Sequence, residues 1–307
     1  MKAILLVGIG IIIVALLFIT HPWNRTRSLD APSAGQLFCS PDGTLTGTQP
    51  VQSHRSYCIE VEKNANIIPE QVTRMNYSIV TDEGETVKHF DVTHEKIMHV
   101  IVVRNDLAEF MHLHPDFDEQ SGRFTVDVNF PTAGPYRVFA DFVPSTGMKG
   151  SNGMPMPATP SVQLTVGDPD SYTAEPLGAP SDMASVDSFA VTLNAVPEEL
   201  QAGAEMQLLV SVLKNGIPVA DLEPYLGAMG HAVILKEGSL AFLHTHPVEH
   251  GATEPDLIRF ATVFPEPGNY KMFVQFQHQG RVFTAPFILQ AAQASGPARP
   301  GGEHSGH

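Results

Sequence analysis

Short runs of alternating hydrophobic and polar residues, separated by Gly, Pro, Asn and Asp, organise most of the chain. In the first run, Tyr57-Cys58-Ile59-Glu60-Val61-Glu62, the larger apolar side chains fall on every second position. This period of two is typical of a β-strand with one buried face. Similar runs follow at 72–80, 98–103, 110–114, 124–130, 136–142 and 162–166. The pattern predicts an all-β fold of Ig-like or cupredoxin-like β-sandwiches rather than βαβ units.

The runs fall into two groups, which predict two tandem β-sandwich domains at 57–167 and 188–291. The second group comprises 189–195, 206–213, 231–235, 241–246, 257–264, 270–277 and 282–289. Segments 21–56 and 168–187 lack this alternation and are rich in turn-forming residues, which predicts two linkers. Residues 292–307 are rich in Gly, Pro and Ala and are predicted to form a disordered tail.

The first 20 residues contain one long apolar run, from 3 to 20. As a helix this run would extend about 27 Å, close to the thickness of the bilayer core. A cleaved signal peptide is the alternative, but such peptides have a shorter apolar core and a small-x-small cleavage site. Trp23 follows the run and suits the membrane interface. We therefore predict an uncleaved transmembrane anchor at 1–20, with the remainder outside the cytoplasm, on the periplasmic or extracellular face.

The two groups of strands are copies of one domain. Residues 130–136 (FPTAGPY) correspond to 264–270 (FPEPGNY), and His99-x12-His112-x-His114-Pro115 recurs as His231-x12-His244-x-His246-Pro247. Only the three histidines, the proline and Phe110/Phe242 are identical between 99–115 and 231–247. The histidines therefore persist in both copies while most of their neighbours differ.

The spacing of the histidines predicts a cluster on one face of a β-hairpin in each copy. If each hairpin is centred on its turn, paired residue numbers sum to 213 or 477, which places His99 opposite His114 and His231 opposite His246. His112 and His244 lie two positions along the same strands and hence on the same faces. Neighbouring Cβ atoms across strands are about 5 Å apart, so three imidazoles can converge on one ion. The competing interpretation is that each histidine is buried and binds a backbone carbonyl.

Three neutral imidazoles suit copper or zinc. The sequence favours copper because methionines accompany the histidines, and thioethers are soft ligands. Secondary ligand candidates are His94, Met98, Met148, Met154 and Met156, the last three in a Gly/Pro-rich loop. Asp141 and Gln275 occupy equivalent positions in the two copies and are candidate partners of the ligands, or alternatively exposed polar residues of their strands. The tail histidines His304 and His307 are weaker candidates.

The chain has two cysteines, Cys39 and Cys58. Outside the cytoplasm a disulfide between them is the expected state, and a thiolate metal site is the alternative.

The net charge is −15, and the sequence contains no run of Lys and Arg residues. Nucleic acids and anionic membrane surfaces both require clustered cations, so neither is an expected partner.

The motifs at 94–103 (HEKIMHVIVV), 110–115 (FMHLHP) and 134–142 (GPYRVFADF) resemble a poorly characterised family of exported bacterial proteins. Residues 225–231 (YLGAMGH) with 243–247 (LHTHP) are similar to its second half, and the resemblance covers about 57–291. More distantly, the domains resemble YtkA/FixH-type modules and CopC-type copper-resistance β-sandwiches, although the CopC ligand pattern has no close match here. The copper resemblance implies handling of metal ions in the cell envelope.

We therefore expect an exported, membrane-anchored protein that binds copper, or alternatively zinc, for metal homeostasis, delivery or resistance. The first alternative is an extracytoplasmic protein-interaction module in which the histidines are structural and the sandwiches bind an envelope partner. A metalloenzyme with an open three-histidine site ranks lowest, because the sequence contains no nucleophile–base motif, no motif-linked carboxylate pair and no phosphate loop. We accordingly expect no enzymatic activity.

Overall fold

A computed structural model describes residues 57–62, 66–146, 156–243, 245–248 and 257–293, with the backbone alone at Phe38–Cys39 and His246. The predicted anchor at 1–20 and tail at 292–307 lie outside these residues, except for 292 and 293. Among the described residues, no helix is long and apolar enough to cross a membrane. The described chain is all-β with one short 3-10 helix, Pro169–Ser171, so the predicted fold class is confirmed at that level.

The first repeat contains strands β1 to β11. They are β1 Phe38–Cys39, β2 Tyr57–Val61, β3 Val72–Thr81, β4 Phe90–Asp91, β5 His99–Arg104, β6 Phe110–Leu113, β7 Asp116–Asp118, β8 Arg123–Asn129, β9 Gly134–Asp141, β10 Val143–Pro144 and β11 Ser161–Val166. Its outer sheet has the order β1-β2-β3-β8-β7, its inner sheet has the order β11-β9-β5-β6, and β4 pairs with β10.

The second repeat contains strands β12 to β21. They are β12 Met183–Val186, β13 Phe189–Val196, β14 Glu205–Lys214, β15 Ile217–Pro218, β16 His231–Lys236, β17 Phe242–Leu243, β18 His246–Pro247, β19 Leu257–Val263, β20 Gly268–His278 and β21 Arg281–Ala291. Its outer sheet has the order β12-β13-β14-β19-β18, with β15 beside β14, and its inner sheet has the order β17-β16-β20-β21. The outer and inner sheets of the two repeats have corresponding strand orders, which confirms the internal duplication, whereas the β4–β10 pair and β15 each belong to one repeat alone.

Each repeat is a sandwich with its own core between the outer and inner sheets. In the first repeat, alternate residues of both sheets, such as Phe124 and Val126 from one and Val100 and Val102 from the other, meet in a buried cluster. In the second, Phe260 and Ile234 belong to the equivalent cluster. The alternation of apolar residues seen in the sequence therefore reflects these two cores.

A third buried cluster lies between the two repeats, and we call it the inter-repeat core. Phe110 stacks on Phe273 with ring centroids 4.2 Å apart, and Phe139 lies 5.5 Å from Phe242. Because Phe110 is equivalent to Phe242, and Phe139 to Phe273, these two contacts are related by an approximate two-fold axis. The cluster comprises Ile101, Val103, Leu107, Phe110, Phe139, Leu177, Val233, Leu235, Leu240, Phe242 and Phe273. The inner sheets thus bury both of their faces.

The segment between the repeats is structured, in contrast to the predicted linker at 168–187. It contains the 3-10 helix and β12, and its Leu177 packs against the inter-repeat core. Glu175 accepts a hydrogen bond from the buried guanidinium of Arg104 at 2.5 Å. Arg104 also bonds Asp106, so the segment is fixed to the turn of the first inner hairpin.

The two cysteines occupy paired backbone positions on neighbouring strands, since Cys39 pairs with Cys58 in the β1–β2 register. Paired residues on antiparallel strands have Cα atoms about 4.5–5.5 Å apart, within the range that disulfides require. Cys58 is buried and is not a free thiol, whereas the side chain of Cys39 lies outside the described residues. The disulfide between them stays a prediction.

The repeated FPxxGPY/FPxPGNY segments form tyrosine corners. The hydroxyl of Tyr136 donates to the carbonyl oxygen of Thr132 at 2.9 Å, and that of Tyr270 donates to the carbonyl oxygen of Glu266 at 2.6 Å. Both tyrosines are fully buried, so each bond satisfies a polar group inside a core. Such corners are a hallmark of Ig-like sandwiches.

We expect Tyr136→Phe and Tyr270→Phe each to lower the free energy of unfolding by about 1–2 kcal/mol, because each removes the hydrogen bond that the hydroxyl of a buried tyrosine makes with the backbone. Urea denaturation followed by circular dichroism measures this loss. A matched control is Tyr77→Phe, because the hydroxyl of Tyr77 is buried but makes no hydrogen bond. Wild-type stability in both corner variants would contradict the assigned role.

Candidate metal centre

The first inner hairpin has the register that the spacing predicts. β5 pairs with β6 through Ile101 opposite His112 and Val100 opposite Leu113, so paired numbers sum to 213. The ladder ends there, one position before His99 and His114, because the chain then crosses to the outer sheet as β7. On its other side His99 pairs with Asp141 of β9.

His99, His112 and His114 form a cluster, which we call the histidine cluster. One ring nitrogen from each lies within 4.8 Å of the other two. The Nδ1 of His99 is 3.0 Å from the Nε2 of His112. Ring centroids are 5.1 Å apart for His99 and His114, and 4.9 Å apart for His112 and His114.

Two oxygen atoms from outside the cluster lie at hydrogen-bond distance from the second ring nitrogens of His99 and His112. The Nε2 of His99 is 3.1 Å from the carbonyl oxygen of Thr93. The Nδ1 of His112 is 2.6 Å from Oε1 of Gln275, which belongs to β20 of the second repeat. The Nε2 of His114 is buried and has no hydrogen-bond partner. Few buried polar atoms in folded proteins lack a partner, so this nitrogen is one that an added ligand would satisfy.

The turn that holds His99 is the same in both repeats. Thr93 pairs with Lys96 around two residues of positive φ, His94 at 49° and Glu95 at 63°, the geometry of a type I′ turn. In the second repeat Tyr225 pairs with Ala228, and the Nε2 of His231 is 2.8 Å from the carbonyl oxygen of Tyr225. Each turn therefore presents a carbonyl to the first histidine of its repeat.

The second inner hairpin follows its predicted register only in part. Ile234 lies opposite Leu243, so paired numbers sum to 477. His246, however, pairs with Ala261 of the outer sheet, and the prediction that it lies opposite His231 in one hairpin is therefore wrong. The chain changes sheets after β17, as it does after β6. The side chains of His244 and His246 lie outside the described residues.

His231 lies beside the histidines of the first repeat. Its ring is 5.0 Å from that of His94, and both residues line a cavity of about 310 Å³ between the repeats. His99, His112 and Asp141 line the same cavity. The sequence predicts two separate hairpin sites, whereas the described residues bring histidines of both repeats to one cavity.

The methionine candidates divide into three groups. Met98 is buried in the core of the first sandwich, on the opposite face of the chain from His99, so it is not positioned as a ligand. Met156 is exposed and adjoins Pro157, which lines the cavity. Met148 and Met154 lie outside the described residues.

Gln275 is the hydrogen-bond partner of His112. In the sequence, only its equivalence to Asp141 identified it as a candidate.

Burial keeps His112, His114 and His231 uncharged at neutral pH. The pKa of His112 is lowered to about 3, mainly by desolvation and also by the nearby imidazoles of His99 and His114, while the hydrogen bond with Gln275 opposes the shift. Desolvation likewise lowers the pKa of His114 and of His231 to about 4. Neutral imidazole is the form that binds metal ions.

A family model described as "Domain of unknown function (DUF8832)" matches residues 53–149 and 184–293. The two matched regions contain the two repeats. No curated protein matches the chain.

Several solved structures align with the chain at low similarity. The Escherichia coli adhesin FdeC is 12% identical, with 83% of this chain and 66% of the adhesin chain aligned and a TM-score of 0.25. Domains 5–6 of the S-layer protein SbsC are 13% identical over 76% of this chain and 99% of theirs, with a TM-score of 0.23. The D00-D0 domain of Intimin is 10% identical over 75% and 98%, with a TM-score of 0.21. Scores this low do not establish a shared fold.

The lowered histidine pKa values predict a loss of stability in mild acid. Between about pH 6.5 and pH 4 these imidazoles are protonated in the unfolded chain but stay neutral when folded, so protons stabilise the unfolded state. We expect the free energy of unfolding of the ion-free protein to fall as the pH drops from 7 to 5, measured by urea denaturation with a chelator present. His112→Asn should reduce this dependence, and an equal dependence in the variant would contradict the assignment.

Proposed function

Since this chain belongs to the family of the domain of unknown function DUF8832, we propose its function from the site itself: the protein binds a transition-metal ion through His99, His112 and His114. Copper is the first candidate and zinc the alternative. The observation that carries the proposal is that His99 and His112 each have an oxygen atom at hydrogen-bond distance from the ring nitrogen that points away from the other histidine.

A neutral imidazole has one N–H donor and one lone pair. The carbonyl oxygen of Thr93 can only accept, so His99 is protonated on Nε2 and its Nδ1 carries the lone pair. With Oε1 of Gln275 as acceptor, His112 is protonated on Nδ1 and its Nε2 carries the lone pair. These two lone pairs face each other across 3.0 Å. Such an arrangement is repulsive unless a cation lies between or beside the two nitrogens.

The distances suit a tetrahedral ion. Zn–N bonds of about 2.0–2.1 Å at a tetrahedral angle place ligand nitrogens about 3.3 Å apart. The ligand nitrogens of the histidine cluster, all within 4.8 Å of one another, need only small side-chain shifts to reach this spacing. Three protein ligands leave the fourth position open, which favours exchange of the ion over a closed structural site.

The choice between copper and zinc depends on methionine. Met98 packs in the core, which removes one reason for preferring copper. Met156 remains exposed beside the cavity wall, and with Met148 and Met154 it still forms a segment of soft ligands suited to Cu(I). We therefore propose copper handling, as homeostasis, delivery or resistance, before zinc binding.

An interaction module with structural histidines is the second candidate. It is favoured if the amide of Gln275 is reversed, because its NH2 group then donates to His112 and the hydroxyl of Thr284, 3.3 Å from the amide, donates to its oxygen. His112 could then donate to His99, and the pair would need no ion. This arrangement still leaves the buried Nε2 of His114 without a partner, and for that reason we rank it second.

The metal proposal is tested by titrating the full-length protein, purified in detergent, with Cu(II) and Zn(II) against a competing chelator. We expect tight binding that His112→Ala weakens by about 100-fold or more, since loss of an outer partner alone costs 10–100-fold. His89→Ala is the matched control, because His89 is exposed and lies outside the cavity. Wild-type affinity in His112→Ala, or no tight binding at all, would refute the proposal.

Variants of Gln275 separate the two candidates. The carboxylate introduced by Gln275→Glu can only accept from His112, so this variant should retain or tighten metal binding. Gln275→Leu removes the acceptor and should weaken it by about 10- to 100-fold. Equal affinities in the two variants would show that the orientation of His112 does not depend on this contact.

We further propose that residues 1–20 anchor the protein in the membrane, with both repeats outside the cytoplasm and a Cys39–Cys58 disulfide beside the first outer sheet. The expected result is no free thiol in the denatured, unreduced protein and two after reduction, counted by mass after alkylation. Two thiols before reduction would exclude the disulfide and remove this support for an oxidising compartment.

A further inference from the structure

The cavity between the repeats contains two histidines that the histidine cluster does not use. His94, from the first repeat, and His231, from the second, lie with ring centroids 5.0 Å apart and planes at 82°. His231 is buried, whereas His94 is exposed. The pair therefore extends from the cavity's buried wall to its mouth.

His231 directs a lone pair away from its own backbone. Its Nε2 lies 2.8 Å from the carbonyl oxygen of Tyr225 and 3.3 Å from that of Leu226, so this nitrogen carries the proton. Its Nδ1 is then the acceptor, as it is in His99. His99 and His231 therefore both line the cavity, and in each of them Nδ1 is the nitrogen that can bind a metal ion.

The backbone does not require histidine at position 94. Leu226, its equivalent in the second repeat, has nearly the same conformation, with φ of 54° against 49° for His94. A leucine therefore occupies this turn position as readily as a histidine does. What position 94 adds to the first repeat is an imidazole at the mouth of the cavity, 6.1 Å from the ring of His99.

We infer that His94 and His231 hold a second, weaker metal position, one ligand from each repeat, through which ions reach and leave the histidine cluster. The inference rests on the proposed function. Imidazoles suit the same borderline ions, copper and zinc, at both positions. Two protein ligands hold an ion less tightly than three, and water completes the coordination. Asp141, on the wall of the same cavity, adds a negative charge that favours a cation there.

The test is a Cu(II) titration of the full-length protein carrying His304→Ala and His307→Ala, which removes binding by the tail. We expect two equivalents, the second at least about tenfold weaker than the first. His94→Leu, which introduces the residue found at the equivalent position, should remove the second equivalent and leave the first at its original affinity. It should also slow removal of the first ion by a chelator. His89→Leu, a loss of one exposed histidine elsewhere, should retain both equivalents.

Four outcomes separate the two proposals. Loss of only the weaker equivalent in His94→Leu supports both. Two equivalents in His94→Leu, or a single equivalent in the parent protein, overturns the second position while the histidine cluster stands. No binding by the parent protein refutes the proposed function and this inference together. His94→Asn provides a second variant, since Asn adopts left-handed φ readily, and should behave as His94→Leu does.

Discussion

The contact between the two inner sheets is the constraint on which the rest of the molecule depends. Phe110 stacks on Phe273, and Phe139 meets Phe242, so each repeat inserts its aromatic rings against equivalent positions of the other. Burying one such side chain stabilises by about 1.5–3 kcal/mol, and the inter-repeat core contains many of them. The same contact brings Gln275 to His112 and His231 to His94. His231 is buried and His112 is partly buried in the folded protein, and desolvation lowers the pKa of both imidazoles.

Much of this arrangement could be predicted from the sequence. The alternation of apolar residues predicted two sandwiches, and the repeated spacing predicted the hairpin register, which Ile101 opposite His112 confirms. Both predictions depend on local periodicity, which strand geometry fixes. Ile101 and Val103 are apolar and share a strand face with His99, a pattern that indicates a buried face. The sequence does not identify the surface that covers this face, because a hydrophobic pattern indicates that a side chain is buried and not what it packs against.

The failures have related causes. His246 pairs with Ala261 because the strand changes sheets at a corner, which spacing arithmetic within one hairpin cannot register. Met98 adjoins His99 in the chain, yet neighbouring residues of a strand point to opposite faces, and its side chain enters the core. Gln275 is separated from His112 by 163 positions and belongs to the other repeat, so only the folded contact between repeats assigns it as a partner.

The approximate two-fold axis between the repeats has a consequence for how the protein can evolve. A dimer of identical subunits must accept every mutation twice, at both symmetry-related positions. Here both halves belong to one polypeptide, so a substitution changes a single side of the interface. His94 stands opposite Leu226 in the alignment of the halves, and Asp141 opposite Gln275. Two repeats in one polypeptide can therefore differ at equivalent positions, so that one half can specialise while the other preserves the shared scaffold, which the identical subunits of a homodimer cannot do.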